Sequence, residues 1–279
     1  MLRAFYWRLN LGLKKIKSKR LRRKLGHNIK AIITHSENGL FAVDPEDLEV
    51  GQKLRLGGFG IEEVERLKKF IDDKSKVLIV GTHIGSLAIP LSHHCHEVTA
   101  IEANPKTFEL LEINLQLNNV NNITPHNIFA NDVPEKVEFL LNTVNSGGSK
   151  RKPKTSNFMY DFDNPDIIEL ESHRLDDYLP DHDYDLVLLD IEGSEYFAMK
   201  GMEDILSRCK TLVVEFLPHH LRNVAGIDVD TFLSVLPGHF TNFKLPDNKQ
   251  EHDISEVKTV LQKMYDANIG EDGIIFTSN

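Results

Sequence analysis

The stretch that decides the fold is Val77-Leu78-Ile79-Val80-Gly81-Thr82-His83-Ile84-Gly85, an apolar run followed by a glycine-rich turn. A continuous run of β-branched residues and leucine is typical of a buried parallel strand. Glycine lets a backbone approach a ligand closely, and we expect a helix with free N–H groups to open at this turn and run to about His93. The Gly-x-x-x-Gly spacing differs from the Gly-x-Gly-x-x-Gly that binds a pyrophosphate, which disfavours a dinucleotide. A plain strand-to-helix turn is the alternative interpretation.

Strands and helix-length segments alternate on the C-terminal side of this turn. The further predicted strands are 98–101, 123–129, Leu186–Leu189 and Thr211–Phe216, with 240–245 and 273–277 as the last two. Strands separated by helices imply right-handed βαβ units. We therefore expect one doubly wound α/β domain over residues 76–279, with a sheet of seven strands.

The N-terminal part divides into a basic arm, residues 1–30, and a cap region, residues 31–75. The arm holds eleven Lys or Arg and no acid, whereas the rest of the chain carries 22 bases and 42 acids. Residues 2–25 read as an amphipathic helix because apolar side chains recur at helical spacing. These apolar residues are Leu2, Phe5, Tyr6, Leu9, Leu13 and Ile16. In the cap region we expect short strands at 31–34 and 40–43 and a helix over 61–72.

The charge distribution suggests what the protein contacts. An acidic body repels phosphates, so nucleic acid is not expected as the substrate. The arm has the composition of a helix that lies on anionic lipid, with Phe5, Tyr6 and Trp7 suited to the membrane interface. We expect residues 1–25 to bind a membrane surface or a partner enzyme, although docking on the protein's own acidic body would also fit. Two distant cysteines, Cys95 and Cys209, make no disulfide framework, so we expect a cytoplasmic protein, with the arm at the inner face of the membrane.

Acidic residues follow two of the early strands. Glu102 ends the second strand, 21 residues after Gly81, where an acid can accept hydrogen bonds from ribose hydroxyls. Asp132 follows the third strand and could accept from an adenine amino group. Solvated carboxylates are the alternative in both cases. The glycine turn and the spaced acid together point more strongly to a nucleoside ligand than either does alone.

A second acidic group follows the fourth strand in the sequence Asp190-Ile191-Glu192-Gly193-Ser194-Glu195. The carboxyl ends of parallel strands are where doubly wound folds bind ligands, and crowded acids raise one another's pKa. Glu215 ends the fifth strand at the same edge, just before His219 and His220. A helix-start cluster is the alternative. Asp190, Glu192, Glu215 and His219 are the candidates for catalysis.

The segment 142–165 interrupts the alternation with a long polar stretch. Loops of this length are usually functional or disordered. We expect the acceptor substrate to lie under it, in contact with 146–149 (Ser-Gly-Gly-Ser) and 150–154, which include Lys150 and Lys154. A plain flexible loop is the alternative.

These motifs resemble the FkbM family of methyltransferases, in order, from about Ile61 to His220. The matching segments are Gly81–Gly85, Glu102-Ala103-Asn104-Pro105, Asn114-Leu115-Gln116-Leu117-Asn118, Leu175-Asp176-Asp177 and Asp190–Glu195. The resemblance implies a class I fold, S-adenosylmethionine as the methyl donor and a hydroxyl acceptor on a sugar or polyketide. It assigns cofactor binding to Gly81, Thr82, His83, Gly85, Glu102, Asn104 and Asp190, with Asp132 added from its position. The chain departs from the family at Ile79, where the family has Asp, and at His83, where it has Asn.

The expected reaction is therefore methyl transfer from S-adenosylmethionine to a hydroxyl of a sugar, glycan or glycolipid. A hydroxyl needs a base, and the candidates are Asp190, Glu192, Glu215 and His219, with His83 and His173 more remote. We place Asp190 near the sulfonium and Glu192 or His219 as the base. A divalent ion held by Asp190, Glu192 and Glu215 is a second option. We expect no other metal, because His93, His94, Cys95 and His96 lack the ligand spacing of a zinc site. A non-catalytic module of a glycan-assembly complex and a dinucleotide-dependent oxidoreductase are the alternative functions.

Overall fold

The computed structural model describes residues 2–246 and 251–278, and the side chains of these except residues 2–5 and Trp7. The helices are α1 (Leu2–Leu25), α2 (Val50–Leu56), α3 (Ile61–Leu67), α4 (Ala88–Ser92), α5 (Pro105–Leu117), α6 (Phe158–Asp161), α7 (Leu175–Tyr178), α8 (Glu195–Lys200), α9 (Glu203–Arg208), α10 (Pro218–His220), α11 (Val229–Leu233) and α12 (Val257–Ala267). Short 3-10 helices lie at Lys68–Phe70, Ser146–Gly148 and Ile254–Glu256, and a π-helical turn lies at Leu221–Ala225.

The strands are β1 (Ile32–Ser36), β2 (Gly39–Val43), β3 (Lys76–Val80), β4 (Glu97–Ile101), β5 (Ile123–His126), β6 (Phe129–Ala130), β7 (Lys136–Leu141), β8 (Lys150–Arg151), β9 (Asp166–His173), β10 (Leu186–Leu189), β11 (Thr211–Phe216), β12 (Asn242–Lys244), β13 (Glu251–Asp253) and β14 (Glu271–Thr277). Among the helices of the described ranges, none has the length and apolar composition needed to cross a bilayer.

The main sheet has the order β13-β12-β14-β11-β10-β3-β4-β5. Strands β11, β10, β3, β4 and β5 are parallel, and β14 and β12 add antiparallel edges. This confirms the predicted doubly wound α/β fold. The seven predicted strands are present, and the three-residue β13 adds an eighth at the edge. The chain leaves β3 toward β4 on one side and reaches β10 on the other, so a topological switch point lies between β3 and β10.

The core strands are apolar because both faces of the sheet are covered. Leu78, Val80, Val187 and Leu189 point to one face, where they pack against helices α8, α9 and α12. Their alternating neighbours point to the other face, toward the cap region and α5. All four residues of β10 are buried, as a strand packed on both faces requires.

The cap region is attached to the sheet through an amide side chain. Strands β1 and β2 form an antiparallel hairpin, and Asn114 of α5 lies fully buried beneath it. The Asn114 side chain accepts from the Ala42 N–H (2.6 Å) and donates to the carbonyls of Ala42 (3.3 Å) and Ile84 (2.9 Å). One side chain thus joins the hairpin, helix α5 and the glycine turn.

Two sequence predictions need correction. The predicted strand 123–129 is two strands in different sheets, because Asn127 turns the chain by donating to the carbonyls of Glu102 and Ala103. The helix expected directly at the glycine turn begins only at Ala88. Residues before it form turns because the N–H groups of Thr82 and His83 bond outward, to the Ile101 carbonyl and the Glu102 carboxylate.

A second sheet, with the order β6-β9-β7-β8, lies beside the main one and was not predicted. The polar segment 142–165 contributes β8 to this sheet and also contains α6 and a 3-10 turn. Asp163 is the anchor of this segment, since its carboxylate accepts from the N–H groups of Thr143 and Val144 and from the Asn142 amide. The alternative of a plain flexible loop is therefore wrong.

Asn114→Ala should lower the free energy of unfolding by about 2–4 kcal/mol, because it leaves buried backbone groups of Ala42 and Ile84 without a partner. Urea denaturation followed by far-UV circular dichroism measures this. Asn121→Ala is the matched control, since Asn121 is exposed and donates only to the Asn119 carbonyl. The control should change stability by less than about 0.5 kcal/mol. Equal losses for the two variants would contradict the role of Asn114.

Candidate active site

A cleft of about 410 Å³ opens at the carboxyl ends of β3, β4, β10 and β11. Its volume is in the range of small-molecule sites. The residues that line it include Gly81, Thr82, His83, Glu102, Asp190, Glu192 and Glu215, which were all predicted as site residues. The structure therefore brings seven of the predicted residues to one cleft at the switch point.

The glycine turn and the strand β10 end are in direct contact at the floor of the cleft. Gly81 has φ +93°, and a Cβ added there would lie 1.8 Å from the Asp190 carbonyl oxygen. No side chain fits that space, so glycine is required. Gly85 does not line the cleft; it packs against Leu111 of α5.

Glu102 is buried and faces both the turn and the cleft. Its two carboxylate oxygens accept from the N–H groups of His83 (2.8 Å) and Asn104 (2.7 Å). Each oxygen can accept a further hydrogen bond from a ligand hydroxyl. Burial raises the pKa of Glu102 to about 7, although the two backbone hydrogen bonds lower it. Asn104 itself caps α5, accepting from the Lys106 and Thr107 N–H groups, and lines a neighbouring cavity instead of the cleft.

The loop after β10 is held by an internal carboxylate. Glu195 is buried and accepts from the N–H groups of Ile191 (3.0 Å) and Gly193 (3.1 Å). Burial raises the pKa of Glu195 to about 7. This brace holds Glu192 in a left-handed conformation, φ +57°, which non-glycine residues adopt only when their surroundings impose it.

Acidic groups dominate the cleft. Asp190 is open to solvent inside it, and its carboxylate has no hydrogen-bond partner within the described part of the chain. The surrounding protein atoms, and then the charge of Glu192, raise the pKa of Asp190 well above its usual value. Burial and the charge of Asp190 do the same to the pKa of Glu215. Raised pKa values in neighbouring acids that line a cleft, as for Asp190 and Glu215, are typical of a functional site.

A buried ammonium lies behind the acids. Lys150 Nζ is 2.9 Å from Glu192 Oε2 and 3.2 Å from His220 Nε2. His220 Nδ1 is 3.5 Å from Glu215 Oε2. Glu192, Glu215 and His220 have potential metal-ligand atoms within 4.8 Å of one another, but Lys150 already supplies a positive charge to two of these residues.

Besides Gly85 and Asn104, three further predicted residues lie outside the cleft. His219 is turned away from the cleft lining toward the Tyr160 hydroxyl, 3.2 Å from its Nδ1, and burial lowers the pKa of His219 to about 4. Asp132 pairs with Lys200 (2.9 Å) outside the cleft. His173 contacts the Tyr178 ring and is also absent from the lining.

The residues that sequence reasoning did not single out are His220, Asp47 and Glu63. Nothing in the adjacent pair His219-His220 indicates which ring reaches the acids.

Ser146, from the predicted acceptor segment, closes one wall: its hydroxyl bonds to His83 Nε2 (2.8 Å) and donates to Asp47 Oδ2 (2.6 Å). Burial raises the pKa of Asp47 to about 6. Glu63 of α3 and Asp272 also line the cleft.

Similar solved structures share low sequence identity with this chain. The methyltransferase FkbM from Methylobacillus flagellatus KT is 19% identical, with a TM-score of 0.43, over 74% of this chain and 44% of that chain. The M. jannaschii tRNA m1G37 methyltransferase is 13% identical, with a TM-score of 0.45, over 91% and 58% of the two chains. M. jannaschii TYW2 in complex with AdoMet is 13% identical, with a TM-score of 0.44, over 89% and 85%.

This chain thus spans less than half of the length of the Methylobacillus protein. No curated protein is significantly similar to it in sequence. Residues 80–252, more than half of the chain, match the Methyltransferase FkbM domain. The match includes the glycine turn, Glu102, the loop after β10 and Glu215, so the motifs of the family coincide with the cleft. The chain belongs to the FkbM methyltransferase family.

Proposed function

We propose that this protein is an S-adenosylmethionine-dependent O-methyltransferase that acts on a hydroxyl of a sugar, glycan or glycolipid. The observation that carries the proposal is the charge of the cleft. Seven acidic side chains line it (Glu49, Glu63, Glu102, Asp190, Glu192, Glu215 and Asp272), against one ammonium in the lining, that of Lys53. Cations outside the lining pair with three of these acids, Lys14 with Glu49, Arg66 with Glu63 and Lys150 with Glu192, so the cleft keeps an excess of acids. Such a site attracts a cationic ligand and repels an anionic one.

This charge distinguishes between the cofactor candidates. S-adenosylmethionine carries a sulfonium and an ammonium against one carboxylate, so its net charge is positive. A dinucleotide carries two negative charges on its pyrophosphate and needs N–H donors and cations around them. Among the cleft residues that the structure describes there is no arginine, and the turn N–H of His83 is already bonded to Glu102. The cleft therefore supports the sulfonium cofactor over the dinucleotide.

The residues present fit the proposed cofactor. Glu102 is placed for the ribose hydroxyls, and Ile128, Phe129 and Phe139 offer an apolar wall for the adenine. Within the described ranges, His83 Nδ1, Ser194 Oγ and Glu215 Oε2 are buried without a hydrogen-bond partner, as expected of groups that pair with a ligand.

Ile79 stands where the family has an acid for the methionine end of the cofactor. We propose that Glu63 and Asp272 take over that role, since both line the cleft and both act electrostatically on Asp190. Glu63 comes from the cap region, so its contribution depends on the position of α3. The departure at Ile79 is thus offset by acids from other elements.

The mechanism rests on positioning and proton removal. When bound, S-adenosylmethionine supplies a methyl group on a positively charged sulfur for in-line transfer. Asp190 faces that positive charge, and Glu192, held by Lys150, accepts the proton of the acceptor hydroxyl. Burial and the charge of Asp190 raise the pKa of Glu215, which disfavours a second negative charge beside Asp190. His219 is not the base in this proposal because it lies outside the cleft lining.

A non-catalytic module would have no physical reason to keep this arrangement. Crowding Asp190 and Glu215 without partners destabilises the fold, and apolar replacements would relieve the cost. Buried, unpaired thiols at Cys95 and Cys209 support the expected cytoplasmic setting.

Incubation with methyl-labelled cofactor and a panel of nucleotide-linked and lipid-linked sugars tests the function. Label in a sugar product supports the proposal; cofactor binding with no transfer to any panel member would favour the non-catalytic module.

Affinity for S-adenosylhomocysteine should rise about tenfold between about pH 6 and pH 8, because Glu102 must be ionised to accept from the ribose and its pKa is raised to about 7. Glu102→Gln should bind more weakly and lose this pH dependence. Isothermal titration calorimetry measures both. Glu109→Gln is the control, since Glu109 is exposed on α5 and does not line the cleft. A pH slope that survives in Glu102→Gln would exclude Glu102 as its source.

Asp190→Asn should lower turnover by about a hundredfold, because it removes the charge that faces the positive sulfur. The free energy of unfolding should stay constant or rise, since the substitution relieves repulsion with Glu192 and Glu215. Asp132→Asn, outside the cleft, is the control and should remain active. An Asp190→Asn variant with full activity would remove Asp190 from the mechanism.

The positive charge beside Glu192 could come from a divalent ion or from Lys150, and the two possibilities predict different responses to Mn²⁺ and to a chelator. If Lys150 supplies the positive charge, the wild-type protein should show no Mn²⁺ binding in calorimetry, and chelator should change turnover by less than about twofold. Lys150→Met leaves Glu192, Glu215 and His220 facing one another without a cation. This variant should bind Mn²⁺ measurably in the same titration. Tight binding by the wild type would instead support a metal-assisted reaction.

A further inference from the structure

Helix α1 docks on the body through its polar face. Arg22 Nε lies 3.0 Å from Glu46 Oε2, and the Ser18 hydroxyl donates to the Glu46 carbonyl (2.9 Å). Lys14 pairs with Glu49, and Lys17 donates to Gln52 on α2 (2.8 Å). Four polar contacts therefore hold the arm on the body, and the guanidinium of Arg8 also lies over the Phe158 ring of α6.

The opposite face of α1 carries an apolar stripe, Tyr6, Leu9, Leu13 and Ile16. These side chains are between 48% and 64% exposed. Their spacing of three, four and three residues places them on one side of the helix. A surface helix normally buries its apolar stripe against the body and leaves its polar face in water. Here the arrangement is inverted, so the apolar stripe points away from the protein.

Basic side chains continue the same helix face beyond Ile16, at the C-terminal end of the stripe. Arg20, Arg23 and Lys24 are exposed, and no described residue forms a hydrogen bond or ion pair with them. The arm has eleven bases and no acid in residues 1–30. An apolar stripe bordered by unpaired cations matches the interface of an anionic bilayer, where acyl chains take the stripe and headgroup phosphates take the bases.

We propose that the apolar stripe of α1 and its flanking bases form a binding surface for an anionic lipid bilayer. A second copy of the chain is disfavoured as the occupant, because pairing two such arms would bring like charges together. The protein's own acidic body is also excluded as the binding partner of the apolar stripe, since the body already contacts the opposite, polar face of α1.

The arm adjoins the cleft. Glu49, which pairs with Lys14 of the arm, also lines the cleft. A bilayer-bound protein would therefore hold its cleft near the lipid surface, and, resting on the proposed function, this favours a lipid-anchored acceptor. Membrane binding itself needs no methyl transfer, so it can be tested separately.

Cosedimentation of the full chain with vesicles tests the proposal. Wild type should bind vesicles with about 30% phosphatidylglycerol in phosphatidylcholine, and bind pure phosphatidylcholine at least about tenfold more weakly. About 0.5 M salt should weaken binding to the anionic vesicles. The triple variant Leu9→Ser, Leu13→Ser and Ile16→Ser should lose at least about tenfold in partitioning.

The matched control is the triple variant Ile33→Ser, Leu56→Ser and Ile269→Ser, whose targets are equally exposed apolar residues elsewhere. It should bind anionic vesicles as wild type does, and circular dichroism should show that both variants are folded. Equal vesicle binding by the two triple variants, or no binding by wild type, would overturn the proposal. So would a wild-type dimer in light scattering that the α1 variant abolishes, since the stripe would then be covered by a second copy.

Discussion

The contact between Gly81 and the carbonyl oxygen of Asp190 constrains the rest of the site. A side chain at Gly81 would need to lie 1.8 Å from that oxygen, so the two strand ends touch only through bare backbone. This close approach places the turn after β3 and the loop after β10 side by side. Glu102 then braces one through the His83 N–H, and Glu195 braces the other. The cleft is the space these two braced turns leave above the sheet.

The second constraint is electrostatic. The same geometry that opens the cleft crowds Asp190, Glu192 and Glu215, and the pKa values of Asp190 and Glu215 rise because the protein around them disfavours their charge. Lys150 offsets part of this cost through Glu192. A ligand with a positive charge would offset more. Binding and stability are therefore coupled. The acids that lower the free energy of unfolding of the protein without ligand are the same acids that select the cofactor.

Local patterns predicted the elements whose formation is local. The β10 and β11 strands were predicted to the residue because each is a continuous apolar run, and Glu102 was found because its spacing from Gly81 reflects one βαβ unit. The second sheet depends on pairing between the distant strands β7 and β9, which no local pattern specifies. The choice between His219 and His220 depends on the direction of α10 after β11. The fit of Ser146 against His83 likewise depends on long-range packing.

The central claim is that the acid-lined cleft binds a sulfur nucleoside and repels an anionic dinucleotide. Calorimetric titration of the full chain with S-adenosylmethionine, S-adenosylhomocysteine and NAD tests it most directly. The account predicts that both sulfur nucleosides bind at one site per chain, at least about a hundredfold more tightly than NAD. Binding of NAD as tightly as S-adenosylmethionine, or no binding of either sulfur nucleoside, would contradict it.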